Sequence, residues 1–90
     1  MMLSYFALLR DVTRKVNEEW TRPAATLGDL LHDLIATYGP GFGRWVLPDG
    51  AHLGLAMIMV DGRDVRNGQG LATPLRPDSD IVLFPPLAGG

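Results

Sequence analysis

Ninety residues with a formal net charge of −2 make one domain with one modest core. That leaves little room for a deep substrate pocket, and eight basic residues against ten acidic ones, with no basic run, leave no footprint for nucleic acid. The absence of cysteine excludes a disulfide framework, a thiolate zinc site and a cysteine nucleophile. Hydrophobic content of 47% with 20% charged residues is ordinary for a folded domain. The opening MMLSYFALLR lacks the basic start and cleavage site of a signal peptide and is too short to span a bilayer, so a cytoplasmic protein without a membrane partner is expected.

Residues 2–9 form a near-continuous apolar run, which predicts a buried strand. After the polar stretch 10–15, Val16-Asn17-Glu18-Glu19-Trp20 alternates weakly and predicts an edge strand with Val16 and Trp20 on one side. The next element is a helix. Thr26 is a suitable N-cap with Asp29 three residues on, and Leu27, Leu30, Leu31, Leu34, Ile35 and Tyr38 fall on one helical face. Gly39 and Pro40 end it. Residues 40–54, rich in Gly and Pro, read as a loop with a short turn around residues 42–46. Residues 55–60 predict a third strand, stopped by the turn signal Asp61-Gly62. Arg63-Asp64-Val65 returns briefly, Asn67-Gly68-Gln69-Gly70 turns, and Pro77-Asp78-Ser79 leads into a last strand at residues 81–84. Pro85 and Pro86 must end that strand, since neither can donate to a ladder.

One amphipathic helix on one sheet is an α+β two-layer arrangement. The first and last strands are apolar on both faces, which places them side by side at the centre of a mixed sheet packed on one main helix, a β-grasp or ubiquitin-like fold. Residues 1–84 are expected to form this domain and residues 85–90 a flexible C-terminal tail. The tail Pro85-Pro86-Leu87-Ala88-Gly89-Gly90 is chemically suggestive. Prolines favour an extended exit path, and two glycines without side chains can thread a narrow channel, presenting the Gly90 carboxylate unhindered. By chance a chain ends in Gly-Gly roughly once in 200 sequences, so the pattern alone is weak.

Phe84-Pro85-Pro86-Leu87-Ala88-Gly89-Gly90 resembles the C-terminal signature of the molybdopterin synthase small subunit in the MoaD/ThiS family of sulfur carriers. Phe6-Ala7-Leu8-Leu9-Arg10-Asp11 is similar to that family's first strand, and Val60-Asp61-Gly62-Arg63-Asp64-Val65 with Gly70-Leu71-Ala72-Thr73-Pro74-Leu75 resembles its longer prokaryotic branch. The chain departs from the family's Asp-Gly-Asp before the last strand, where it has Pro77-Asp78-Ser79. The resemblance implies a cycle. A ubiquitin-activating-like adenylyltransferase uses ATP to adenylate the Gly90 carboxylate, and a sulfurtransferase or persulfide donor replaces the adenylate to leave a covalent thiocarboxylate. The tail then enters the large subunit of molybdopterin synthase, where sulfur passes to a pterin precursor of the molybdenum cofactor. On this reading the chain binds no cofactor or metal and is not catalytic alone. Gly90 carries the sulfur, Gly89, Ala88, Leu87, Pro86 and Pro85 form the inserted tail, and Phe84, Leu87 and Arg10 contact partners. An apolar patch is expected beside the tail, drawing on Met57 or Met59.

Two alternatives stay open. Asp64-Val65-Arg66 with Gly70-Leu71-Ala72-Thr73 also resembles cysteine-pathway carriers, and thiamin synthesis or tRNA thiolation would use the same tail. A ubiquitin-like modifier joined to target lysines would use it too, although Lys15 is the chain's single lysine and self-linked chains would have few places to grow. His32 and His52 lack ligand-spaced partners and read as surface residues, Trp20 and Trp45 as core or cover, and Asp78 and Asp80 as solvated turn aspartates.

Overall fold

The leucine spacing of residues 27–38 sets the architecture, because a helix with one apolar stripe must lie on something. In the computed structural model, which describes residues 1–86, α2 (Leu27–Tyr38) buries Leu27, Leu30, Leu31 and Leu34 completely. The Thr26 hydroxyl accepts the Asp29 amide at 3.3 Å, the cap expected from the sequence. At the other end Gly39, at φ 86°, donates its amide to Ile35. The surface under α2 is one five-stranded sheet of β1 (Met2–Tyr5), β2 (Asn17–Glu19), β3 (Met57–Val60), β4 (Arg63–Asp64) and β5 (Asp80–Phe84), in the order β2-β1-β5-β3-β4. β1 and β5 lie parallel at its centre and the remaining pairs are antiparallel. A parallel pair needs a crossover connection, and α2 lies within it. This is the β-grasp arrangement.

Several boundaries differ from the sequence reading. β1 ends at Tyr5, and residues 8–13 form a short helix, α1 (Leu8–Thr13), which buries Leu9 and Thr13 one turn apart. Arg10 therefore stands on a helix and not at a strand end. No glycine in the sequence marks the turn between β1 and α1. Ala7 occupies φ 51°, ψ −122°, the geometry of the first central position of a type II′ turn, closed by the Leu9 amide to the Phe6 carbonyl at 3.1 Å. Glycine is usual there, and an alanine costs about 1–3 kcal/mol. Val16 lies outside β2 and is 60% exposed, whereas Trp20 is buried, so the two do not share a buried side.

Pro40 begins a helix as well as ending one. It sits in the first turn of α3 (Pro40–Val46), where its missing N–H costs nothing. α3 packs on α2, with Gly43 close against Ile35, and buries Phe42 and Val46. β3 starts only at Met57, and Leu55 is exposed. Val65 belongs to a 3-10 turn (Val65–Asn67), and a second such turn covers Gly70–Ala72. The Asp61-Gly62 turn is as expected, with both residues at positive φ between Val60 and its partner Arg63. Before β5, Asp78 has no left-handed backbone. The turn is held instead by buried Ser79, whose hydroxyl accepts the Arg76 amide at 2.9 Å. No helix among the described residues is long and apolar enough to cross a membrane.

Candidate functional site at the root of the C-terminal tail

Alternation along the central strands decides what surrounds the tail. On β5, Ile81 and Leu83 point into the core, so Val82 and Phe84 face outward. On β3, Ile58 and Val60 are buried, and the outward Met57 and Met59 stand opposite Phe84 and Val82. On the other flank, the Phe6 amide continues the ladder by donating to Leu83 at 3.1 Å, and the Phe6 ring stacks on Phe84 with centroids 4.7 Å apart and planes 18° apart. Phe6, Leu8 and Met57 are 44%, 48% and 42% exposed. Phe6 and Met57 flank Phe84 and form with it an apolar patch where β5 passes into Pro85, which is buried, and Pro86, which is half-buried. Large apolar residues left bare in this way mark a partner surface. α3 does not cover it, since that helix packs with α2 and its Phe42 meets the inward Tyr5 on the opposite face of the sheet.

Of the residues singled out from the sequence, Phe84 lies in the patch. Arg10 is exposed on α1 and lines a shallow depression with Asp11, Arg14, Lys15 and Val16. Leu87, Ala88, Gly89 and Gly90 lie outside the described residues. Phe6, named in the sequence only as part of the motif Phe6–Asp11, joins the patch as well, since its position three residues after Leu3 in an alternating strand puts it on the Phe84 face. His52 is exposed and bonded to Asp49 at 2.7 Å. Among the described residues no group of three His, Asp or Glu side chains is placed to hold a metal. Trp20 is buried under the Arg22 guanidinium and Trp45 is half-buried beside Arg44. Asp78 is exposed and pairs with Arg76 at 3.5 Å.

A second feature missed by sequence reasoning braces this end of the sheet. Glu18 of β2 turns inward, and its Oε1 accepts both the Tyr5 and Tyr38 hydroxyls at 2.5 Å, while Lys15 Nζ donates to Oε2 at 3.0 Å. Tyr5 also meets Phe42 edge-on. Burial opposes ionisation of Glu18, but the hydrogen bonds from Tyr38, Tyr5 and Lys15 outweigh it and hold the carboxyl below its ordinary range. Burial and then the bond to Glu18 push both tyrosines upward. The same bond raises Lys15. This cluster ties β2, the end of β1 and the end of α2 together just before the Ala7 turn.

The β-grasp fold agrees with comparison against known proteins. The ThiS family model matches residues 3–90. The chain belongs to the ThiS family. It is 35% identical to Small archaeal modifier protein 3 of Haloferax volcanii over 89 residues, covering 98% of this chain and 96% of that protein. Among solved structures, small archaeal modifier protein 1 of Methanosarcina acetivorans superposes with a TM-score of 0.82 at 25% identity, covering 99% of this chain and 94% of the other. CysO of Mycobacterium tuberculosis superposes with a TM-score of 0.78 at 27% identity, covering 96% and 98%. The ThiS-family chain is thus one of the ubiquitin-like carrier and modifier proteins.

Proposed function

We propose that this ThiS-family protein is a sulfur carrier whose Gly90 carboxylate is adenylated and converted to a thiocarboxylate, which donates sulfur for molybdopterin as the small subunit of molybdopterin synthase. The observation that carries a carrier role is the corner where the central strand β5 runs from Phe84 into Pro85-Pro86 beside the exposed Phe6 and Met57. A partner can grip that corner while the tail enters its active site. The molybdopterin assignment is supported by the resemblance of Phe84-Pro85-Pro86-Leu87-Ala88-Gly89-Gly90 to the synthase small subunit. In the cycle, a Gly90 carboxylate oxygen attacks the α-phosphate of ATP and pyrophosphate leaves. The outer sulfur of a persulfide donor then displaces AMP from the acyl carbon to give an acyl disulfide. A second thiol of the partner attacks the donor's own sulfur, breaking the S–S bond to release the thiocarboxylate and leaving the donor as a disulfide. The adenylyltransferase, the sulfur donor and the synthase large subunit supply the catalysis, and ATP is used by the activating partner alone.

Intact mass of the protein purified from its own cells tests this reading. A fraction heavier by one oxygen-to-sulfur exchange on Gly90 is expected, and a tail that never carries sulfur in cells making the cofactor would sink it. Affinity capture then separates pathways. Recovery of a pterin-binding large subunit supports the molybdopterin role, and recovery of a cysteine-synthase-like enzyme in its place points to the cysteine pathway.

A second reading, a protein modifier linked through Gly90 to lysines of other proteins, is favoured by the 35% identity to a modifier protein. Growth of self-linked chains would use Lys15, whose ammonium is held by Glu18 and pushed towards the protonated, non-nucleophilic form. Single attachments are therefore expected over ladders. Denaturing gels of cell extracts, with and without Gly89 and Gly90, distinguish this role.

A further inference from the structure

At the other end of the central strands from the tail, residues 19–25, which lead out of β2, and 75–77, which lead towards β5, enclose with Met1 a cavity of about 490 Å³. Sites for small molecules run from roughly 300 to 1,000 Å³. The five residues of β5 separate this cavity from Phe84 by roughly 13 Å. Its polar lining consists largely of donors. Trp20 is 6% exposed, and its indole Nε1, which can only donate, has no hydrogen-bond partner among the described residues. A buried donor without an acceptor is costly to the fold. The Arg22 guanidinium lies over the Trp20 ring, 4.3 Å from its centroid, and donates to the Thr37 hydroxyl at 3.0 Å; among the described residues no carboxylate pairs with it. Arg76 makes long contacts to Asp78 at 3.5 Å and Asp61 at 3.8 Å and stays largely exposed. Glu19, the acidic residue of the lining, is engaged by the Met1 ammonium at 3.4 Å. Pro23, Ala24, Ala25, Leu75 and Pro77 make the walls apolar.

We propose that this cavity binds a small apolar carboxylate. The hydrocarbon body lies against Pro23, Ala24 and Leu75, and the carboxylate sits on Arg22 with Arg76 at the rim. Trp20 Nε1 becomes a further donor once Arg22 swings off the indole to meet the ligand. Charge selects an anion, because the lining offers two guanidiniums and an unpaired N–H against one carboxylate that already has a cation. The planar fork of Arg22 can make two parallel bonds to a carboxylate, which the face of an indole does not offer. The apolar walls select the rest of the molecule. A ligand here leaves the Phe84 corner clear, so the inference stands apart from the sulfur-carrier reading.

The test follows the indole N–H signals of Trp20 and Trp45 in the full chain by proton–nitrogen NMR, assigned with Trp45→Phe. The chain is titrated with phenylbutyrate and with its uncharged amide. The Trp20 signal should shift and saturate with a Kd below about 1 mM for the acid, and the amide should bind about tenfold more weakly. Arg22→Gln should weaken the acid about tenfold and leave the amide unchanged, and Arg76→Gln should weaken the acid about threefold. A Trp20 signal that stays in place up to about 10 mM phenylbutyrate overturns the site. Equal affinities for acid and amide overturn the selection for an anion. If Arg22→Gln loses the signal dispersion of a folded chain, the acid and amide titrations of the unaltered protein decide alone. The peptide acetyl-Ala-Ala-Leu, bound more than about tenfold tighter than phenylbutyrate, would assign the cavity to a protein C-terminus and overturn the small-molecule proposal.

Discussion

The two faces of the same three strands do opposite work. On the inner face Leu3, Tyr5, Ile58, Val60, Ile81 and Leu83 are buried beneath α2. On the outer face Met57, Met59, Val82 and Phe84 alternate with them, joined by Phe6, and among the described residues α2 and α3 lie on the other side. One residue of register separates the residues that hold the domain together from those left for a partner. The lesson is that apolar character at a position does not reveal its role in this protein. Role follows from parity along the strand, and parity becomes meaningful only once the side taken by α2 is known.

Substitutions on the inner face should therefore act on stability. Leu83→Ala should cost about 3 kcal/mol through the cavity it leaves under α2, a Tm loss of roughly 12 °C or more in thermal melts. A loss below about 1 kcal/mol would mean that the two faces are not divided as described. Gly54→Ala should follow at about 2 kcal/mol. Its β-carbon would come within 2.6 Å of the Trp45 carbonyl oxygen and 2.7 Å of Pro48, so the backbone joining α3 to β3 must shift. Chemical denaturation measures both, and an unchanged midpoint for Gly54→Ala would show that this joint is loose.

The sequence made some of this division legible and hid the rest for definable reasons. α2 was readable because its cap, stripe and terminating glycine are all local signals that agree, and the central pairing of β1 with β5 followed from their two-sided apolar character. α1 was hidden because Ala7 makes a turn that glycine would have announced, and because the exposed Phe6 and Leu8 extend the apolar run of β1 as if they were buried. α3 was hidden because proline both stops and starts helices. The inward Glu18 could not be read at all, since its partners Tyr5 and Tyr38 lie 13 and 20 residues away and meet it only in the folded sheet. The tail was the reverse case, a motif plain in the sequence whose last four residues fall outside the described ones.

The brace at Glu18 gives a smaller effect with a sign that pH can check. Its carboxyl is held below its unfolded value, near 4.3, so it contributes stability fully present above that value and lost as pH falls through the folded pKa. Glu18→Gln removes charge from bonds to two hydroxyls and an ammonium and should cost about 1–2 kcal/mol at pH 7. The difference in Tm between the two proteins should narrow steadily as pH falls below the unfolded value and through the depressed folded one. A constant gap would show that the bonds matter for shape alone.

The smallest expected effect on stability is the sharpest probe of the comparison. Met57 lies on the outer face opposite Phe84 and is 42% exposed, so Met57→Thr keeps a residue suited to a strand and removes little buried surface. Its stability should stay within about 0.5 kcal/mol of the wild type, as for most surface changes. Binding of the adenylyltransferase should weaken by about tenfold, equivalent to roughly 1.4 kcal/mol, because a thioether that fills an apolar interface is replaced by a shorter, polar group. Titration calorimetry beside thermal melts reads both numbers from one preparation. If stability falls while binding holds, Met57 packs within the domain and the outer face is not the surface a partner uses. If binding falls while stability holds, the strand carries its two jobs on alternate residues, and the apolar corner at the tail is kept bare at the expense of solubility because another protein has to close over it.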